Sequence, residues 1–118
     1  MPSLSELKRI AEIEFEDIVV FTEFIDYKLR IQIKDKSFTD VYLSRRIQGR
    51  FSFHWERGHI DGAIFRYDNY PNTEWRNVST FPYHFHNGFE DSAVKSPFDK
   101  DILKGFKEFM KFIREKIK

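Results

Sequence analysis

Alternation of apolar and polar residues organises most of this chain. Between Tyr27 and Lys34, Tyr27, Leu29, Ile31 and Ile33 face one way, and Lys28, Arg30, Gln32 and Lys34 the other. That is the two-residue period of a half-buried strand. Arg50 to Glu56 repeats it, with Phe51, Phe53 and Trp55 against Arg50, Ser52, His54 and Glu56. Further strands are predicted from Ile18 to Phe21 (a buried run), Thr39 to Arg46, Ala63 to Asp68 and Ser79 to Phe85. Asp35 to Ser37, Gln48-Gly49, Arg57 to Gly62, Asn69 to Asn72 and Asn87-Gly88 read as turns or loops. The period changes to helical at both ends. Ser3 and Glu6 fit a capping box before Leu4, Leu7, Ile10 and Ala11, which predicts a helix over 4–13. Pro97 and Asp99 open a second, over 99–117, with an apolar stripe of Ile102, Phe106, Phe109, Met110, Ile113 and Ile117.

The expected fold class is α+β: an antiparallel meander sheet of about five to six strands, with the N-terminal and C-terminal helices packed on one face. The other face is expected to meet water. The sets Tyr27/Leu29/Ile31/Ile33, Phe51/Phe53/Trp55 and Phe81/Tyr83/Phe85 go under the helices. The opposite sets share the second face: Lys28, Arg30 and Gln32; Arg50, Ser52, His54 and Glu56; Arg66 and Asp68 beside Ile64; Thr80, His84 and His86.

Composition narrows the chemistry. With 118 residues the chain fits one domain, and 14 Phe within 18% aromatics promise an aromatic core. No cysteine is present, which excludes disulfides, thiolate metal sites and Cys nucleophiles. A net charge of +1 gives no general pull toward nucleic acid or acidic membranes, so an anion site must come from local arrangement. No apolar run has membrane-spanning length and no signal-peptide pattern is seen, so the expectation is a soluble cytoplasmic protein. Charged residues at 33%, with Gln32 and Gln48 the only glutamines, resemble a thermophile composition.

A sheet face turned to water is polar in any protein. Residue type separates this one. Histidine accepts or releases a proton near neutrality, arginine grips a phosphate with two parallel hydrogen bonds, and an aspartate beside a histidine orients its ring. The candidate catalytic residues are therefore His84, His86, Arg66 and Asp68, with Asn69, His54, Arg30 and Arg50 as candidate substrate contacts. The His84-x-His86 spacing also suggests a metal clip, and Asp68 or His54 would supply a third ligand. Two histidines fall short of the three or four protein ligands that zinc needs, so no metal and no cofactor is assigned. His59 reads as a solvated loop residue and Trp55 as core, while Trp75 is left unassigned between loop residue and stacking surface. Lys104, Lys107, Lys111, Arg114 and Lys118 form a basic stripe on the last helix, a solvated face or a site for an acidic partner.

Arg66-Tyr-Asp-Asn69 with Pro71, then Thr80-Phe-Pro82, His84-x-His86, Val94 and Ser96, resembles the TumE-like family of small toxins from type II toxin–antitoxin systems. The resemblance covers roughly residues 15–118. The family pattern runs R-Y-D-N-x-P-H and then F-P-H-H-x-H. This chain departs from it at Asn72 and Tyr83, each standing where the family has histidine, and His54 is one strand away to compensate. The resemblance implies a toxin neutralised by a small helix-turn-helix antitoxin encoded beside it. Many toxins of such systems are small sheet-and-helix ribonucleases that cut messenger RNA, so it also implies an RNA substrate and an endoribonuclease that inhibits translation. A homodimer is left open. The alternatives are a non-enzymatic protein-binding module and a metal-dependent hydrolase using His84, His86 and Asp68.

Overall fold

The computed structural model describes residues 1–118. The elements in chain order are α1 (Leu4–Glu14), β1 (Val19–Ile25), β2 (Lys28–Ile33), β3 (Phe38–Leu43), β4 (Phe51–Arg57), β5 (Ala63–Asp68), a short 3-10 turn (Thr73–Trp75), β6 (His84–Gly88), β7 (Val94–Lys95) and α2 (Ile102–Lys116). The strands form one sheet of seven in sequence order, each antiparallel to the next. The meander and the α+β class are as expected. The additional strand is the two-residue β7, too short to leave an alternation in the sequence.

Both helices cover one face. α1 sits over β1 to β3 and α2 over β4, and the helices touch each other. The capping box forms as read: Ser3 Oγ accepts from Glu6 N, and Glu6 reaches back to Ser3 N. α2 starts three residues later than predicted, because Asp101, not Asp99, accepts from Lys104 N as its N-cap. The core is aromatic. Phe53 meets Phe106 and Phe109, and Trp55 and Phe65 meet Phe112. Phe51, Phe53 and Trp55 are fully buried, and each such side chain contributes about 2–3 kcal/mol of apolar burial. Trp55 Nε1 donates to Ser37 Oγ, so its one polar atom is satisfied.

Four expectations are corrected. The run Ile18 to Phe21 is not a buried strand: Ile18 is buried, but Val20 and Phe21 are exposed, because β1 is an edge of the sheet. Tyr27 is exposed in the β1–β2 turn, under the Arg45 guanidinium, and not beneath the helices. The strand predicted over 39–46 stops at Leu43, where Ser44 Oγ accepts from Arg46 N and Ile47 N and turns the chain. The strand predicted over 79–85 begins only at His84 and runs through Asn87-Gly88, which pair with Phe65 and Ile64 instead of turning; Thr80, Phe81 and Tyr83 belong to the turn before it, with Tyr83 N bonded to Thr80 O.

One contact beneath the site was invisible in the pattern. Tyr67 Oη donates to Asp99 O at 2.9 Å, and α2 crosses there at Gly105. A Cβ at Gly105 would stand 2.6 Å from Asp99 O and 3.3 Å from Tyr67 Cε2. Gly105→Ala is therefore expected to destabilise the fold by about 1–3 kcal/mol through overpacking. It does so against a helix-propensity gain of about 1 kcal/mol. Denaturant unfolding at constant m-value checks this; an unchanged or raised midpoint would count against the close packing.

Candidate functional site

Antiparallel register decides which side chains meet. One row across the sheet pairs Arg30 with Asp40, Asp40 with His54, His54 with Arg66, and Arg66 with His86. The next row pairs Tyr42 with Ser52, Ser52 with Asp68, and Asp68 with His84. All these positions lie on the face away from the helices, so the face assignment made from alternation holds.

Arg66 is the hub. Its Nε donates to Asp68 Oδ2 at 3.2 Å, its Nη1 to Glu90 Oε1 at 2.8 Å and its Nη2 to His86 Nε2 at 3.2 Å. Asp68 Oδ1 accepts from Tyr70 N and lies 3.2 Å from His84 Nε2. His84 Nδ1 donates to the Pro82 carbonyl at 2.9 Å. The His84 and His86 rings stand edge to face, 5.1 Å apart. The four residues predicted as catalytic thus form one connected network.

Their depth differs from expectation. Alternation puts His84 and His86 on the water-facing half of their strand, yet they are 2% and 1% exposed, and Asp68 is 4% exposed. The segment 69–83 folds back over this end of the face. Within it, Asn72 Oδ1 caps the 3-10 turn by accepting from Glu74 N, and Trp75 settles against both rings, 6.2 Å from His84 and 5.5 Å from His86 between centroids. Trp75 is therefore the cover of the histidine pair.

Burial has an electrostatic result. The pKa of His86 is lowered from its usual 6.5, first by desolvation and then by the positive charges of Arg66 and His84, against the opposing pull of Asp68. Because Arg66 donates to Nε2, the neutral ring carries its proton on Nδ1, a buried atom with no hydrogen-bond partner. The backbone of Ser92, like the charge of Asp68, works in the opposite direction and favours the protonated ring. Glu90 is held below the ordinary carboxylate range by its hydrogen bond from Arg66 and by the charge of that guanidinium.

The remaining candidates lie further out. Arg30 makes a two-point ion pair with Asp40, at 2.8 and 2.9 Å, and packs on Phe38, so its guanidinium is already occupied. His54 Nε2 contacts Glu56 Oε1 at 3.0 Å on the far side of Arg66. Arg50 stacks on Tyr70 at the rim and makes no ion pair. Asn69 accepts from Phe51 N and donates to Gly49 O, which clamps β4 to β5 and turns its side chain away from the histidines. On the last helix, Lys107 and Arg114 of the basic stripe pair with Glu14 and Asp17. Asp40, Glu90 and Trp75 were not among the predicted site residues. Asp40 was within reach, since a tight turn at 35–37 sets it opposite Arg30; Glu90 lies in the β6–β7 turn and carries no periodic signal.

Arg66, Asp68 and His84 form the floor of a concavity of about 410 Å³ walled by Tyr42, Tyr70 and Trp75. Asp68, His84 and His86 also present ligand atoms within 4.8 Å of one another, the spacing of a three-ligand metal site. Arg66 competes for that role, since its guanidinium already binds both His86 Nε2 and an Asp68 oxygen. No helix is long and apolar enough to cross a membrane.

No curated protein and no solved structure gives a significant match to this sequence. A family model described as Toxin TumE matches residues 4–117, which takes in α1, the whole sheet and α2. The chain belongs to the TumE toxin family, and that membership makes its role that of a toxin and implies an antitoxin partner.

Proposed function

We propose that this toxin is an endoribonuclease that inhibits translation by cutting RNA, and that a small helix-turn-helix antitoxin restrains it. The observation that carries the reading is the position of Arg66: one guanidinium touches both a buried neutral histidine and an exposed carboxylate, at the edge of a concavity floored by a second histidine. Glu90 is mostly exposed, and an exposed ion pair holds by only about 0–1 kcal/mol, so a phosphate can displace it. The guanidinium then turns Nη1 and Nη2 onto two phosphate oxygens while Nε stays on Asp68.

That turn releases His86 Nε2, whose lone pair takes the proton of the RNA 2′-hydroxyl. The 2′-oxygen attacks the adjacent phosphorus, Arg66 balances the charge of the phosphorane, and the bond to the 5′-oxygen breaks. His84, oriented by Asp68, gives a proton to that leaving oxygen. The products are a 2′,3′-cyclic phosphate and a 5′-hydroxyl, and no metal takes part in this scheme. Arg50, at the rim, is placed to follow the backbone.

A specific observation also favours a metal-dependent hydrolase, namely the convergence of Asp68, His84 and His86. End analysis of cleaved RNA separates the two. Purified toxin in EDTA is expected to cut single-stranded RNA at an unchanged rate, leaving cyclic phosphate and 5′-hydroxyl ends. Loss of cutting in chelator together with 5′-phosphate ends would replace the scheme with metal-assisted hydrolysis. Growth arrest without any cleavage would favour the non-enzymatic binding module.

A further inference from the structure

We infer that the concavity beside Arg66 is a seat for one unpaired RNA base, so that this toxin engages single-stranded and not duplex RNA; the inference rests on the ribonuclease reading above. The hollow, about 410 Å³, has the size of a small-molecule site and suits one nucleotide. Three of its walls are aromatic: Tyr42, Tyr70 and Trp75. Tyr70 is 37% exposed and Trp75 is half-buried, so ring surface remains for a ligand. Every base offers a π-face to such rings, and stacking is the usual means of holding single strands.

Polar groups stand at the edges. Ser52 lines the hollow, and Asn72 spends its side-chain oxygen on Glu74 N, which leaves its amide hydrogens for a base edge. The aromatic walls are held in place before any ligand arrives. Tyr70 is fixed by its backbone bond to Asp68 and by Arg50 over its ring, and Trp75 by its packing on the two histidines. Arg66 at the floor then meets the phosphate attached to the seated base.

Charge points the same way. With a net charge of +1, and with Arg30 already paired to Asp40, counterion release cannot supply most of the affinity. Short-range stacking must, and a base inside a duplex is not available for it.

Trp75 reports on the proposal directly. Trp55→Phe leaves it as the sole tryptophan of the two. The probe is a ten-nucleotide 2′-O-methyl RNA of mixed sequence, which cannot be cleaved. It is compared with the same backbone lacking bases and with its own duplex. Saturable quenching of Trp75 is expected with the single strand, with affinity falling about tenfold for the abasic chain, for the duplex and for Tyr70→Ala. Anisotropy of the labelled probe with otherwise unaltered toxin gives the same comparison if Trp55→Phe folds poorly. Equal affinity for the abasic chain, unchanged binding in Tyr70→Ala, or no binding at all would overturn the seat. Because the probe cannot react, base-dependent binding without cleavage of ordinary RNA would sink only the ribonuclease reading, and cleavage with base-independent binding only the seat.

Discussion

Replacing Arg66 by alanine is expected to lower RNA cleavage by about a thousandfold or more and to abolish growth arrest on induction. Removing one preorganised group that stabilises developing charge costs about 10²–10³ in rate on its own. The proposed scheme gives Arg66 a second duty: its Nη2 is bonded to His86 Nε2, and in that scheme substrate frees the lone pair. The loss has a structural side as well. Asp68, 4% exposed, would lose its guanidinium partner and keep only Tyr70 N and His84, and His86 Nε2 would have no donor. Stranding buried groups costs about 1–3 kcal/mol each, so inactivity of Arg66→Ala has to be separated from unfolding.

Arg66→Lys makes that separation. It keeps the charge but cannot hold Asp68, His86 and a phosphate together, because an ammonium lacks the planar fork. It is expected to fold like the parent by circular dichroism and still lose about a hundredfold in cleavage. Wild-type activity in both variants would remove Arg66 from the mechanism.

The period of the strands was enough to assemble this network from sequence. In a meander of short turns, register fixes the face, so residues as far apart as Arg66 and His86 are placed together once their strands are recognised. Alternation reports face and not depth. Nothing periodic marks residues 69–78, and the alternation of 79–83 reads as strand, yet the segment 69–83 covers the histidines, buries them and lowers the pKa of His86. The assumption of a face open to water failed at this place for that reason. Partners hidden from the pattern follow the same logic. Asn69 reads as a polar residue next to a motif, and only the packed chain reveals that its amide is spent on Gly49 and Phe51. Glu90 lies beyond β6, where neither strand nor helix period constrains it. Edge position misled in the other direction: Val20 and Phe21 have the composition of a core strand, but β1 has a neighbour on one side only.

His86→Gln is expected to cut the cleavage rate by about 10²–10⁴, the usual worth of a general base. The amide oxygen can still accept from Arg66, so the network is preserved while the titrating group is lost. The pH dependence then distinguishes a base from a spacer. His86 must be neutral to accept the 2′-hydroxyl proton, and its folded pKa lies below 6.5. Activity of the parent should therefore rise with pH along a limb below 6.5 and be level above it as far as this group is concerned. His86→Gln has no titrating group at this position and should lose that limb.

Stability carries an independent signature of the same shift. Between the folded pKa and 6.5 the unfolded chain binds a proton that the native chain refuses, so native stability is full above 6.5 and falls as pH drops through that value toward the folded pKa. His86→Gln cannot take up that proton and should lose this part of the acid sensitivity. Urea midpoints measured from pH 7.5 to 5 in parent and variant test it. Parallel pH curves for stability, together with an unmoved activity limb, would mean that His86 titrates like an ordinary surface histidine and is not the base.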